Sequence, residues 1–499
     1  MTAREAIPLN ASTLASIGAR VAVPSYARED VKVGIVHFGV GGFHRAHQAM
    51  YLDRLINDGQ ALDWGICGVG LLPFDERMRD ALERQDGLYT LVLKAPDGSR
   101  DARVVGSIIR YLYAPDSPEA VLEMMADPDV RIVSLTVTEG GYNIDHVTGE
   151  FDVTNPLVVH DVRAAAAPKS VFGFVTEALA RRRARGILPF TVNSCDNLQG
   201  NGTLSRKVFT AFARLRDPGL ADWIEAHVSF PNAMVDRITP VTTDADRAEV
   251  AERFGVDDAW PVVCEPFTQW VLEDHFPTGR PAYQEVGAQL VADVEPYELM
   301  KLRLLNASHQ GICYFGYLAG YRLVHEAAQD PLFSRFLLDY MNLEATPTLE
   351  PVPGIDLDVY KRTLIERFSN GEVRDTIARL CAESSDRIPK WLVPVIRWQL
   401  AADGPIALSA AIVASWARYA EGSDEDGELI EIVDQLAERV HANATRNRTD
   451  PLAFVSDRGI FGDLVDQPRF VEAYTWALAS LHEHGARATL EALAAITPA

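Results

Sequence analysis

Two hydrophobic periods divide the chain. In the first half, short apolar runs alternate with amphipathic stretches. VKVGIVHF (31–38), WGICGVG (64–70), RIVSLTV (131–137) and LPFTVNSC (188–195) are apolar runs of strand length. Such runs fit strands buried on both faces. Between them FHRAHQAMYLDRLI (43–56), DERMRDALERQ (75–85) and VFGFVTEALARRRARG (171–186) carry a helical period, the last stopping at glycine. YTLVLK and ARVVGSI flank the turn residues PDG and read as a hairpin. Strands alternating with helices predict an α/β domain, a parallel sheet with helices on both faces. From about 296 the helical period takes over, over 296–325, 331–342, 358–369, 373–382, 390–403, 408–420, 427–442 and 468–495. ATPTLEPVPGIDL (345–357) interrupts it as a loop. The change of period places a domain boundary near 290.

Composition narrows this picture. The 499 residues suit two or three domains of about 100–200 residues. With 47% hydrophobic and 23% charged residues the chain is an ordinary globular one. The net charge of −23 argues against a nucleic-acid partner, which needs a basic footprint. The densest basic cluster, RRRAR (181–185), ends a predicted helix, where cations complement the macrodipole. The five cysteines form no CxxC pair, and four lie in apolar or strand-like runs. Buried free thiols in a reducing compartment follow. MTAREAIPLN lacks a basic-then-apolar signal pattern, and IALSAAIVASWA is too short to span a bilayer. The expectation is a soluble cytoplasmic protein with neither a nucleic-acid nor a membrane partner.

The first strand runs directly into GVGGFHRAH. Gly39 and Gly41 stand at the turn and Phe43 opens the helix that follows. A turn of this kind lets backbone approach the pyrophosphate of a dinucleotide. The spacing is imperfect, because the third glycine of GxGxxG falls on His44. Residues 1–290 are therefore expected to form a Rossmann-like domain that binds NAD. Asp75, beyond the second strand, is the candidate for the ribose, where a carboxylate repels a 2′-phosphate. The plainer alternative makes it a helix cap. His44 and His47 have HxxH spacing but lack Cys/His partners at metal spacing, so no metal is expected. Polar or basic contacts to the pyrophosphate are their expected role.

PYELMKLRLLNASHQGICYFGYLAGY is apolar enough to be a buried helix, yet carries Lys301, Asn306 and His309. On an α-helix at about 100° per residue the three fall within one arc, Asn306 and His309 being i,i+3 neighbours. A desolvated lysine has a lowered pKa and serves as a general base. Asparagine amides donate to an oxyanion, and a histidine orients a hydroxyl. Together they suit oxidation of a secondary alcohol by hydride transfer. The alternative is a snorkelling lysine beside core hydrogen bonds. TVNSCDNLQGNG (191–202) adds polar residues after a strand, where open sheets bind ligands, and FPNAMVDRITP (230–240) places Asp236 and Arg237 in a short apolar context, though turn chemistry also accounts for both.

FGVGGFHRAHQ, SLTVTEGGYN, SCDNLQGNG, FPNAMVDRITP and KLRLLNASHQ together resemble the polyol-specific long-chain dehydrogenases. The resemblance spans nearly the whole chain. It implies a zinc-independent enzyme with a Rossmann-like domain, here 1–290, followed by a mostly helical substrate-binding and catalytic domain, here 291–499. It implies Lys301 as general base, Asn197 and Asn306 as oxyanion donors and His309 as orienting group. Asp236 would bind substrate hydroxyls, and Glu139 would exchange protons between Lys301 and water. Asp75 matches the position favouring NAD, while Phe74 stands where a relative has a second acid. Arg379 matches an arginine near the substrate, and Arg387 replaces a family lysine. The implied reaction joins a linear polyol and its 2-ketose, D-mannitol and D-fructose first, with D-arabinitol/D-xylulose as a side pair. A bidentate arginine also suits a carboxylate, which keeps reduction of a keto-uronate such as fructuronate as the alternative. The implied assembly is a monomer.

Overall fold

The structure, a computed structural model, describes residues 6–144, 149–163 and 167–496. The first five residues of MTAREAIPLN thus lie outside the described residues. The chain forms two compact units, 1–295 and 296–499.

The first unit is built on a five-stranded parallel sheet. Its strands are β1 (Val33–Phe38), β2 (Gly65–Gly70), β3 (Ile108–Tyr113), β4 (Ile132–Leu135) and β5 (Thr191–Ser194). They lie in the order β3-β2-β1-β4-β5. Cys67, Val36, Val133 and Val192 form one row across it, all fully buried. The pleat sends successive residues to opposite faces. Val36 and Phe38 enter one core with helices Val171–Arg185 and Asn201–Arg216. Ile35, on the other face, packs with Met50, Leu52 and Trp270. Both faces are therefore covered, which is why the strands read as continuous apolar runs rather than alternating ones.

Local signals set the elements. Ser170 caps the helix Val171–Arg185 through Gly173 N, and Gly186, at φ 70°, ends it. The hairpin pairs Tyr89–Lys94 with Arg100–Val105, antiparallel. Arg182 of RRRAR is buried rather than solvated, donating to the carbonyls of Met125, Asp127, Val130 and Leu188. Arg181 and Arg185 pair with Glu119 and Glu123.

The expected helix 43–56 is two, α1 (Gly42–Ala46) and α2 (Gln48–Asn57), broken at His47. That ring is fully buried among Phe43, Tyr51 and Trp270 and bonds to Gln269 O at 2.9 Å. The unit also holds a mixed three-stranded sheet of Ala233–Asp236, Gln269–Glu273 and Gln289–Val291 that the apolar pattern does not announce.

The second unit is helical. Its centre is Ala407–Tyr419, buried at every position from Leu408 to Tyr419. A helix apolar on all sides belongs in a core. It packs against Ala307–Leu318 and against Pro468–Ile496, which kinks at Gly485. Expected helices are shortened where turn chemistry intervenes. Only Ala437–Ala444 of the 427–442 stretch and its continuation is helical, because Asp424 accepts from Asp426 N and Glu428 N and closes a turn before it. The 373–382 stretch is helical only from Ile377 to Cys381, capped by Thr376. All five cysteines are free and buried. Among the described residues no helix is long and apolar enough to cross a membrane.

Candidate active site

In the first unit, β1 ends at a cleft of about 680 Å³ that Gly39, Gly41, Phe43 and Asp75 all line. Gly39 has φ +91°, and a Cβ there would lie 2.0 Å from the Thr136 carbonyl oxygen. Only glycine fits this close approach of β1's end to β4's end. A Cβ on Gly41 would meet nothing nearer than 3.9 Å. Its bare backbone leaves the side open to a phosphate. Thr136 Oγ1 donates to Gly39 O at 2.7 Å and locks the turn. Thr136 itself lines the cleft, a contributor that the glycine motif does not reveal. These residues fit a dinucleotide pyrophosphate at the turn.

Asp75 opens helix α3 (Asp75–Arg84) on the cleft rim. Its Oδ2 accepts from Leu71 N and Leu72 N, both at 2.8 Å. The carboxylate therefore braces the loop after β2 rather than capping its own helix. His44 and His47 were expected to contact the pyrophosphate, but their side chains turn into the domain interior. Both are buried and neither lines the cleft. His44 stacks on His37 with ring centroids 3.4 Å apart. Burial, then the neighbouring His37, hold His44 well below the usual histidine range, so the ring is neutral. Among the described residues no three His, Cys, Asp or Glu side chains group as metal ligands.

Asn197 and Glu139 are exposed residues of two loops that one carboxylate ties together. Asp196 accepts from Thr138 N at 2.8 Å, Val137 N at 3.1 Å and Tyr142 Oη at 2.7 Å. Burial pushes its pKa up to about 6 against these hydrogen bonds. Thr138, at φ +63°, is held in a conformation rare for threonine. Asn201, another polar residue of this segment, is structural. Its amide bridges Asp196 O and both backbone groups of Ala233. Asp236 is buried at the end of Ala233–Asp236, opposite Gln269. Its neighbour Arg237 donates to Ala46 O and Glu265 O, so it is a packing cation of the domain.

In the second unit, the expected straight helix from 296 to 325 is interrupted. Glu295–Met300 and Ala307–Leu318 are α-helical, and Lys301–Asn306 between them is a π turn. Bonding i→i+5 lowers the rotation per residue. Residues five apart then stand as residues four apart do in an α-helix. Lys301 and Asn306 are brought closer to one face than the 140° of α geometry allows. His309 follows one α-turn later. Lys301 and Asn306 are 7% and 3% exposed, so the lysine does not snorkel freely to water. His309 is half-buried, its ring 4.8 Å from that of Phe368. Asn306 Nδ2 is buried and has no hydrogen-bond partner. An amide donor in that state costs about 1–3 kcal/mol unless something accepts from it.

Arg379 and Arg387 lie on neighbouring short helices, Ile377–Cys381 and Ser384–Trp391. The first packs on Ala307–Leu318 and the second on the π turn. Arg379 pairs with Asp375, and Arg387 donates to the carbonyls of Arg379 and Leu380. Gln310, next to His309, reaches the same Leu380 carbonyl.

Comparison with known proteins adds relatives to this geometry. A family model described as the mannitol dehydrogenase Rossmann domain matches residues 33–285, and one described as the mannitol dehydrogenase C-terminal domain matches 293–482. A mannitol 2-dehydrogenase of Phaeosphaeria nodorum is 47% identical over 97% of this chain and 85% of its own length. The solved Pseudomonas fluorescens mannitol 2-dehydrogenase, a ternary complex with NAD and D-mannitol, is 48% identical with a TM-score of 0.90, over 98% of this chain and 100% of that one. A substrate-free D-sorbitol dehydrogenase is 38% identical, also with a TM-score of 0.90, over 97% and 100%.

Proposed function

The chain belongs to the mannitol dehydrogenase family, and on that premise we propose that it is an NAD-dependent oxidoreductase interconverting D-mannitol and D-fructose. The observation that carries the chemistry is the buried, unpartnered Asn306 Nδ2 donor in the same π turn as a buried lysine. A buried donor held in place by its helix is preorganised for an oxyanion.

Gly39, Gly41, Phe43 and Asp75, which line one cleft, would hold the cofactor, Gly41 serving the phosphates and Asp75 the ribose. NAD, when bound, accepts the hydride. Lys301 takes the proton of the reacting hydroxyl as general base. Asn306 and Asn197 stabilise the developing alkoxide. His309 orients the hydroxyl that reacts, and Asp236 accepts from the other hydroxyls. Glu139 passes the proton between Lys301 and water. Arg379 and Arg387 bound the far end of the substrate. The protein acts as a cytoplasmic monomer without a metal.

A second reading keeps the chemistry and changes the substrate. Arg387 offers a planar fork suited to a carboxylate, which fits a keto-uronate such as fructuronate. NADH oxidation by the purified protein, with D-fructose and D-fructuronate in parallel, separates the two. Faster turnover of fructose supports the mannitol reading and makes Arg387 a hydroxyl-binding group. Faster turnover of fructuronate moves the protein to the uronate reaction. D-Arabinitol belongs in the same assay as a side substrate.

A further inference from the structure

Beneath the dinucleotide turn lies a second, much smaller void. It is lined by His44, Gln48, Asn193 and Trp270, with Ile35 and Ser134 among its other walls. It offers about 10 Å³ to a water-sized sphere. One water needs roughly 10–15 Å³ on that measure.

The polar lining is entirely buried and incompletely bonded. His44, Gln48, Asn193 and Trp270 are each 5% exposed or less. Both ring nitrogens of His44, Gln48 Oε1, Asn193 Oδ1 and Trp270 Nε1 have no partner in good hydrogen-bond geometry, although Gln48 stands near enough to His44 and Cys195 to interact weakly with both. Buried polar atoms are bonded in the great majority of folded proteins, and several orphans around one void form an exception that needs a ligand.

The geometry points to an internal binding site for a single water at this void, held by His44, Gln48, Asn193 and Trp270. The donor and acceptor count selects the ligand. Trp270 Nε1 can only donate, and the two amide oxygens can only accept. A neutral His44 supplies one N–H and one lone pair. A water accepting from Trp270 and His44 and donating to Gln48 and Asn193 satisfies four of these groups at once. A monatomic cation would face two N–H groups, and an anion would face two carbonyl oxygens. A bare ion therefore fits worse than a neutral molecule with two donors and two acceptors.

The site joins three parts of the domain. His44 and Gln48 belong to the broken helix that follows the phosphate turn. Asn193 is in β5, three residues before Asp196. Trp270 is in Gln269–Glu273, paired with the strand that ends at Asp236. The water thus braces the turn against β5, which leads to Asp196, and against the strand paired with Ala233–Asp236.

A crystal structure of the intact protein at about 1.5 Å or better tests this. The expected result is one ordered water within roughly 2.7–3.2 Å of His44 and of at least two of Gln48 Oε1, Asn193 Oδ1 and Trp270 Nε1. An empty void, or these side chains paired directly with one another, overturns the proposal. Asn193→Leu gives a second reading by thermal melting. If water occupies the site, the substitution expels it, strands His44 and Trp270, and lowers Tm by roughly 2–6 °C. If the void is dry, added apolar volume leaves Tm unchanged or raises it, which sinks the idea. Either result is independent of which sugar the enzyme turns over.

Discussion

At the scale of single residues, Lys301 and Asp75 make opposite demands on the sequence reader. A lysine in an apolar helix stands out, and its 7% exposure agrees with its oddity. Replacing it tests the proposed base directly. Lys301→Ala is expected to lower turnover of the polyol by about 10²–10⁴. It should also flatten the rise of alcohol oxidation with pH. Near-normal activity in that variant would take the base role away from Lys301. Asp75 has a humbler look, and its bonds to Leu71 N and Leu72 N explain part of its presence without any cofactor. Asp75→Asn keeps an oxygen for those amides and removes the charge. The ratio of kcat/KM for NADPH over NADH should then rise by roughly tenfold, the effect of about 1.4 kcal/mol. An unchanged ratio would leave Asp75 a loop brace and move cofactor choice elsewhere on the rim.

At the scale of elements, legibility followed burial on both faces. The strands of the parallel sheet were readable because each is apolar throughout, and Val36 and Ile35 show why, since both faces need filling. The strand Ala233–Asp236 was missed because it is short and ends in charge. The π turn was invisible for another reason. Its bonding leaves no compositional mark, and KLRLLN reads as ordinary helix until the backbone is seen. The candidate groups on that turn were legible even though their angular relation was not. The loops carrying Glu139 and Asn197 were legible as polar strand ends, but their common anchor was not. Asp196 sits within SCDN like any turn residue, and its bonds to Val137 N, Thr138 N and Tyr142 Oη require the fold. Asp196→Ala leaves two loop amides without their acceptor. Turnover should fall on the order of 10–100-fold, because a small displacement of positioned groups costs that much. Circular dichroism of the variant should stay native. Wild-type turnover would show that the anchor has no bearing on the reaction.

At the scale of the whole molecule, the net charge of −23 leaves stability sensitive to how each carboxyl is housed, exposed or buried. Two opposite populations coexist. Arg280 holds Asp274 below the ordinary range, and Arg185 holds Glu123 down at about 2. Such exposed pairs add a small, solvent-screened stabilisation above the unfolded pKa and lose it as pH falls through the folded one. Glu344 works the other way. It is fully buried at the start of Ala407–Tyr419, accepting from Leu408 N at 2.7 Å and Ser409 N at 2.8 Å. Burial raises its pKa from 4.5 to about 7 despite those bonds. Below pH 4.5 it is protonated in both folded and unfolded chains and contributes no pH dependence. Between about 4.5 and 7 the unfolded chain ionises first, so the folded state grows relatively less stable. Above 7 the cost is complete, on the order of 3 kcal/mol for a shift of that size. Glu344→Gln removes the titration but gives one helix amide a poorer partner. The difference in Tm, wild type minus variant, should therefore be largest near pH 5 and shrink towards pH 8. A difference constant across that range would mean that Glu344 stays ionised inside the core. The two helix amides would then outweigh its burial, and the central helix would be anchored by a charge rather than by a neutral acid.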